Sequence, residues 1–126
     1  MAVNIKRRML IVDDEMEVLK IVREVFELRG WEVVTTPTAG SVEPILEKER
    51  IDIVLLDIRL PDGSGLDLLK RIKVRFASVP VIIFTAFGYK DDIVNEAISL
   101  GASGYVSKGV SLTELIETVS NTLVGK

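Results

Sequence analysis

Residues 9–15 read Met-Leu-Ile-Val-Asp-Asp-Glu, an apolar run of strand length that ends in three consecutive acids. The apolar part is typical of a buried β-strand. Neighbouring carboxylates repel each other by about 1 kcal/mol at 4 Å in water, and by about 4 kcal/mol at the effective dielectric of a protein surface. Gly, Asn or Ser would end a strand without that cost. We therefore interpret the acids as groups that bind a positive charge.

Apolar runs of this kind recur along the chain and alternate with segments of helical periodicity. The predicted strands are Met9–Asp13, Glu32–Thr36, Ile51–Asp57, Val79–Thr85 and Gly104–Ser107. The predicted helices are Glu15–Arg29, Ser41–Lys48, Leu66–Phe76, Asp91–Leu100 and Ser111–Leu123. Strict alternation predicts an α/β fold, a doubly wound five-stranded parallel sheet with five helices on its two faces. Five such units fit the strand order 2-1-3-4-5.

Length and composition narrow the class of protein. The chain has 126 residues, which suits a single domain over 1–126, with 1–8 as a basic N-terminal tail and 124–126 as a C-terminal tail. It contains no Cys and no His. Their absence excludes disulfides, zinc thiolate sites, Cys nucleophiles and His-ligated metals, and it fits a cytoplasmic protein.

Charge and hydropathy argue against two kinds of partner. The net charge of −3 is a poor match for nucleic acid, so we expect no direct nucleic-acid binding. We interpret the basic cluster within Lys70–Arg75 as a solvated helix face. The apolar run after Lys6-Arg7-Arg8 stops at Val12, which is too short for a signal peptide or a membrane span.

Polar side chains follow the predicted strands at their carboxyl ends, where open α/β sheets bind ligands. Asp13 and Asp14 end the first strand, Asp57 the third and Thr85 the fourth, and Lys108 follows the fifth. Any one of them could be a turn cap or a surface charge, but their convergence on one rim indicates a site. Without His or Cys, three carboxylates favour a hard cation such as Mg²⁺. Asp is a known nucleophile toward phosphoryl groups, so the pattern predicts a phosphate acceptor.

Four motifs then carry a family resemblance. "LIVDDE", "IVLLDIRLPDGSGLDLLKRIK", "VIIFTAFG" and "LGASGYVSK" together resemble the receiver domain of two-component response regulators, the chemotaxis-regulator-like family with a flavodoxin-like fold. The resemblance runs from Met9 to Leu123. It implies a phosphoacceptor switch that catalyses only its own phosphorylation and dephosphorylation. The phosphoryl donor would be a histidine kinase or a His-phosphotransfer protein.

The resemblance also implies how a Mg²⁺ ion would be held. Asp14 and Asp57 would ligate the ion directly, and the backbone carbonyl of Arg59 would be a third protein ligand. Asp13 would act largely through a bound water.

Two further roles concern the phosphoryl group. By resemblance, Lys108 would contact the phosphate on Asp57, and Thr85 would swing to hydrogen-bond it. Tyr105 matches the family's aromatic switch, which turns inward when Thr85 moves. The downstream partner, an output domain, another protein or a second copy, would read the face that includes Lys90, Asp91, Ile93, Tyr105 and Leu112.

The first helix carries a second apolar row, formed by Val18, Ile21 and Val25 beside its core-facing residues. One interpretation is that the row packs against the fifth helix. The other is a docking patch for the kinase, formed by Met16, Val18, Ile21 and Val110.

The chain departs from the family pattern in two places. Gly109 stands where the family usually has Pro after the Lys, so the sequence leaves open whether the Lys108–Gly109 bond is cis or trans. Arg59 and Phe87 occupy the two variable positions that tune access of water to the phosphate. Neither residue is an acid or amide suited to orienting water, so we predict a slowly hydrolysing phosphoform.

Other functions remain open from the sequence. A Mg²⁺-dependent phosphatase or phosphotransferase on a small substrate would also use an Asp nucleophile. Such enzymes usually have a second Asp two residues later, where this chain has Arg59. A phosphorylation-independent interaction module would not need the complete set of Asp, Thr and Lys. A flavin site is weakest, because no phosphate-cradling loop follows the first strand.

Overall fold

A computed structural model describes residues 6–109 and 111–124. Its main sheet has five parallel strands in the order β2-β1-β3-β6-β7, which is the predicted 2-1-3-4-5 order counted over the strands of this sheet. These strands are β1 (Arg8–Val12), β2 (Glu32–Thr36), β3 (Ile53–Leu56), β6 (Val81–Thr85) and β7 (Gly104–Ser107). The helices are α1 (Met16–Leu28), α2 (Val42–Lys48), α3 (Gly65–Arg75), α4 (Asp91–Ser99) and α5 (Leu112–Val124). The predicted α/β fold class is confirmed.

Apart from Arg8 at the start of β1 and Thr85 at the end of β6, the central strands are apolar, because both faces of the sheet are covered. In β1, Leu10 and Val12 belong to one hydrophobic core, and Met9 and Ile11 belong to the core on the opposite face. β3 and β6 divide their side chains in the same way. Period-2 alternation therefore separates two cores rather than a core and a solvent face.

Two short elements were missed by the sequence analysis. Arg59–Leu60 (β4) and Gly63–Ser64 (β5) form a two-stranded antiparallel hairpin directly after the third sheet strand. A three-residue 3₁₀ helix, η1 (Ala39–Ser41), precedes α2. Both are too short to show a periodicity in sequence.

The predicted tail boundaries are off by one residue at each end, because Arg8 begins β1 and Val124 ends α5. Arg8 is fixed by its side-chain hydrogen bonds to Glu32 and by its backbone N–H, which donates to Asp52 at 2.8 Å. Within residues 6–109 and 111–124, none of the helices combines the length and the hydropathy that crossing a membrane requires.

The basic cluster on α3 is not simply a solvated face. Arg71 and Arg75 both pair with Glu43 on α2, at 3.0 and 2.7 Å, and Arg75 also pairs with Glu47. These pairs hold pKa values low at Glu43 and high at Arg75. The two arginines therefore join α3 to α2, a tertiary contact that periodicity does not reveal.

Candidate functional site

The topology brings the predicted polar residues to one edge of the sheet. β1 and β3 are neighbours in a register that pairs Val12 with Leu56, so the next residues, Asp13 and Asp57, emerge side by side. The Asp57 N–H donates to the Val12 carbonyl at 3.0 Å, which fixes the acceptor strand against β1. On the other side, the Lys108 N–H donates to the Thr85 carbonyl at 2.8 Å.

Three carboxylates converge at this edge. One oxygen from each of Asp13, Asp14 and Asp57 lies within 4.8 Å of the other two. Asp13 is 1% exposed and Asp57 is 6% exposed, whereas Asp14 is exposed. Buried carboxylates need a compensating charge, and a set made only of carboxylate oxygens suits a hard divalent cation. The residues therefore fit the predicted Mg²⁺ ion.

Lys108 supplies a positive charge to the same cluster. Its ammonium lies 2.7 Å from Asp13 Oδ2, 2.5 Å from Glu15 Oε1 and 3.0 Å from Asp57 Oδ2. Burial by itself would lower the pKa of Lys108, but the hydrogen bonds that its ammonium donates to the three carboxylates outweigh it and raise the pKa. Lys108 is therefore a fixed cation beside the acceptor.

The environment of Asp13 disfavours its charged form, whereas that of Lys108 favours it. Burial raises the pKa of Asp13 above its usual range, although the bond from Lys108 and a 2.9 Å bond from the Glu15 N–H both oppose the rise. Without a metal, the folded protein therefore disfavours the charged form of this carboxyl. A divalent cation would relieve that cost.

Gly65 allows the acceptor segment to pack closely. A Cβ at Gly65 would lie 2.0 Å from the Asp57 carbonyl oxygen and 2.8 Å from the Ile58 Cα. The Gly65 N–H donates to the Ile58 carbonyl at 2.6 Å, and the Ile58 N–H donates to Asp57 Oδ1 at 2.8 Å. Only glycine fits where α3 begins against the backbone that presents Asp57.

Hydrogen bonds join the loop after Asp57 to η1. Asp62 lies in the turn of the β4–β5 hairpin, and its carboxylate accepts hydrogen bonds from the N–H groups of Ala39, at 2.8 Å, and Gly40, at 2.9 Å. These bonds lower the pKa of Asp62. Sequence analysis assigned no role to Asp62.

A cleft of about 230 Å³ opens above Asp57. Its lining includes Asp57 and Thr85 together with Glu15, Arg59 and Phe87. The Arg59 guanidinium lies over the Phe87 ring, 5.0 Å from its centroid. The two variable residues of the sequence analysis therefore meet at the rim of the cleft.

The bond after Lys108 is trans, since residues 6–109 and 111–124 contain no cis peptide. The Gly109 N–H donates to Ser107 Oγ at 3.2 Å, a bond that Pro at this position could not make. The Ser107 N–H in turn donates to the Tyr89 hydroxyl at 3.2 Å. The residues on both sides of Lys108 are thus held by local hydrogen bonds.

Tyr105 packs inward beneath the loop that follows Thr85. Its ring lies 5.9 Å from the ring of Tyr89, centroid to centroid, and its hydroxyl is buried without a hydrogen-bond partner in the described part of the chain. Burial raises the pKa of Tyr105, and the neighbouring Tyr89 and Asp57 raise it further. The ring of the predicted switch residue is thus positioned against the loop that follows Thr85.

The predicted docking residues that the structure describes line two grooves. Val18 and Ile21 line a groove between α1 and α5, while Met16 lies in a separate groove on α1 together with Leu19. Val18 is half-buried, and Met16 and Ile21 are exposed. Val110 lies outside the described residues.

Glu15 lies at the site, but its contact with Lys108 was not predicted from the sequence. It is the third acid of the opening motif, and its partner Lys108 lies 93 residues away in the chain. The run of acids was the only available signal.

Comparison with known proteins agrees with this geometry. The model of the response regulator receiver domain family matches residues 9–120. Among curated proteins, the response regulator SaeR of Staphylococcus aureus (strain USA300) is 38% identical over 115 residues, which cover 91% of this chain and 50% of SaeR. The chain thus spans about half the length of the curated relatives it matches.

Solved structures show the same relationship. A CheY-like response regulator receiver domain protein from Methanospirillum hungatei JF-1 is 30% identical, with a TM-score of 0.87 and coverage of 96% of both chains. The BeF3-activated receiver domain of Klebsiella pneumoniae RstA is 25% identical, with a TM-score of 0.88 and coverage of 93% of this chain and 98% of that one. From its motifs, its strand order and these matches, the chain belongs to the response regulator receiver domain family.

Proposed function

We propose that Asp57 is the phosphoacceptor of a signalling switch and takes its phosphoryl group from a phosphohistidine. The observation that carries this proposal is the position of the Asp57 carboxylate. It lies 3.0 Å from the Lys108 ammonium, and one of its oxygens lies within 4.8 Å of carboxylate oxygens of Asp13 and Asp14. Phosphoryl transfer depends mainly on positioning and on neutralising the charge of the phosphoryl oxygens.

The reaction is a substitution at phosphorus. A carboxylate oxygen of Asp57 attacks the phosphorus atom in line, the P–O bond forms, and the P–N bond to the donor imidazole breaks. The imidazole leaves with the electron pair and takes up a proton. The separate reaction that ends the signal is hydrolysis, in which water attacks the same phosphorus, the Asp57 carboxylate leaves, and inorganic phosphate and a proton are released. The chain catalyses only these two reactions on itself.

Each residue at the rim has a distinct task. Asp13, Asp14, Asp57 and the backbone carbonyl of Arg59 would hold Mg²⁺, whose positive charge would offset that of the phosphoryl oxygens. Lys108 would donate to a phosphoryl oxygen, because it already contacts Asp57 and remains protonated at neutral pH. Thr85 lines the same cleft and would donate its hydroxyl to another phosphoryl oxygen.

The groove between α1 and α5 supports a donor docking site. It lies beside Lys108 and includes Val18, Ile21 and Leu112 among its lining residues. A histidine kinase or His-phosphotransfer protein that covered it would bring its phosphohistidine toward the site. Since kinases of this type carry phosphohistidine in the cytoplasm, we propose the same location for this chain.

Tyr105 would couple phosphorylation to the face that binds the downstream partner. If the Thr85 hydroxyl moves to the phosphoryl group, the loop that follows it must move over the Tyr105 ring, on the face formed by α4, β7 and α5. Phosphorylation would shift a two-state equilibrium of that face and alter its affinity for an output domain, another protein or a second copy.

The test is phosphorylation by acetyl phosphate in the presence of Mg²⁺, followed by intact-mass measurement. We expect one phosphoryl group per wild-type chain, stable in acid and labile in base, and none on Asp57→Asn. Asp67→Asn is the matched control, because Asp67 is an exposed carboxylate on α3. Equal modification of Asp57→Asn and wild type would refute the proposal, and turnover of many acetyl phosphates per minute would favour a small-substrate phosphatase instead.

A further inference from the structure

Lys108 has a third carboxylate partner that lies outside the predicted metal cluster. Its ammonium donates to Glu15 Oε1 at 2.5 Å, in addition to its contacts with Asp13 and Asp57. A lysine ammonium has three N–H donors, so three carboxylate acceptors match its full capacity. Of the three, Asp13 and Asp57 are also candidate ligands of the cation, whereas Glu15 is not.

The backbone of Glu15 is held where its side chain can reach Lys108. The Glu15 N–H donates to Asp13 Oδ1 at 2.9 Å, and the Glu15 carbonyl accepts from the Leu19 N–H at 3.0 Å. Glu15 therefore occupies the N-cap position of α1, yet its side chain makes no capping hydrogen bond to the helix. Its carboxylate is directed to Lys108 and lines the cleft above Asp57.

Cation binding and phosphorylation change the contacts of Lys108 with Asp13 and Asp57, but not its contact with Glu15. A cation on Asp13 competes with Lys108 for the same carboxylate, because the positive charges repel each other at close range. Phosphorylation converts Asp57 into an acyl phosphate, so Lys108 must exchange that carboxylate oxygen for a phosphoryl oxygen. Glu15 remains the anionic partner that neither event removes.

We propose, resting on the function above, that Glu15 is a positioning residue that holds the Lys108 ammonium over Asp57 while the metal and the phosphoryl group bind. Glu15 acts through Lys108 and does not touch the phosphoryl group. Its contribution therefore belongs to recognition of the phosphoryl group and is separate from the binding of Mg²⁺.

Glu17→Gln is a control of equal charge change. Glu17 is the next acid on the chain and lies on the exposed first turn of α1. Glu15→Gln keeps the shape of the side chain and removes its charge, and the Glu15 side chain is 56% exposed, so the variant leaves the core intact. Both substitutions remove one negative charge near the site, but only Glu15→Gln removes the ion pair with Lys108.

Calorimetric titration measures the two binding events separately, first Mg²⁺ alone and then beryllofluoride, a phosphoryl mimic, at saturating Mg²⁺. We expect Glu15→Gln to weaken beryllofluoride binding by about tenfold, the scale of one partly exposed charge-assisted hydrogen bond. We expect Glu17→Gln to weaken it by less than about twofold, since its charge is screened by solvent. Mg²⁺ affinity should be equal in the two variants.

Three results would overturn part of the account, and they are distinguishable. Equal beryllofluoride affinity in the two variants would show that the contact with Lys108 does not position it. A loss in Glu15→Gln that appeared equally in Mg²⁺ affinity would show that Glu15 acts through the charge of the metal cluster. Failure of the wild-type chain to bind beryllofluoride would refute the proposed function itself.

Discussion

Substituting Gly65 by Ala tests how closely the acceptor segment is packed. The new Cβ would lie 2.0 Å from the Asp57 carbonyl oxygen, whereas ordinary contacts begin at 3.4 Å, so the backbone must shift by about 1.4 Å. Overpacking of this kind costs about 1–3 kcal/mol, and the higher helix propensity of Ala returns up to about 1 kcal/mol. We expect a net loss of about 1–2 kcal/mol in the free energy of unfolding, and a Tm lower by about 3–8 °C.

The same shift should impair phosphorylation more than it impairs stability. A displacement of about 1 Å can reduce the rate of a positioned reaction by about 100-fold. The assay is the initial rate of phosphorylation by acetyl phosphate with Mg²⁺, measured beside a calorimetric melt. Gly109→Ala is the control, because among residues 6–109 and 111–124 its Cβ would meet only Ser107 Oγ, at an ordinary 3.6 Å. Wild-type rate and Tm in Gly65→Ala would refute the packing argument.

Three further predictions concern the rim of the site. Phe87→Ala removes the ring beneath the Arg59 guanidinium, and by admitting water it should speed loss of the phosphoryl group several-fold. The measurement is the rate at which the phosphoprotein decays, and an unchanged rate would contradict this role. Tyr105→Phe removes a buried hydroxyl that has no partner in the described residues and should raise the free energy of unfolding by about 1 kcal/mol; a lower Tm would show that the hydroxyl is satisfied. Asp62→Ala should lower Tm at neutral pH, and the difference from wild type should shrink as the pH falls below the ordinary pKa of 3.8. The folded protein lowers the pKa of Asp62, so its contribution is complete above 3.8 and vanishes only when the pH falls below the lower pKa of the folded state. A difference that persisted in acid would contradict it.

The strand pattern predicted the fold and the position of Asp57 because burial on both faces leaves a clear signal. The run before Asp57 is apolar throughout, and the structure places it at the centre of the sheet beside β1. Parallel order then required Asp13 and Asp57 to emerge at one edge. These conclusions depend on topology alone.

Side-chain pairing could not be predicted in the same way. Glu15 meets Lys108 across 93 positions, and Arg75 meets Glu43 across 32. No periodicity predicts which charged side chains will be neighbours. The need for glycine at position 65 depends on a backbone approach of α3 to Asp57 that exists only in the folded chain. Contacts of this kind are set by tertiary packing.

Chemical mapping of the modified residue tests directly whether Asp57 takes the phosphoryl group. Borohydride reduces an aspartyl phosphate to homoserine, so reduction after treatment with acetyl phosphate and Mg²⁺ marks the acceptor permanently. We expect homoserine at position 57 alone when the peptides are sequenced by mass spectrometry. Homoserine at Asp13 or Asp14, or none at any position, would contradict it.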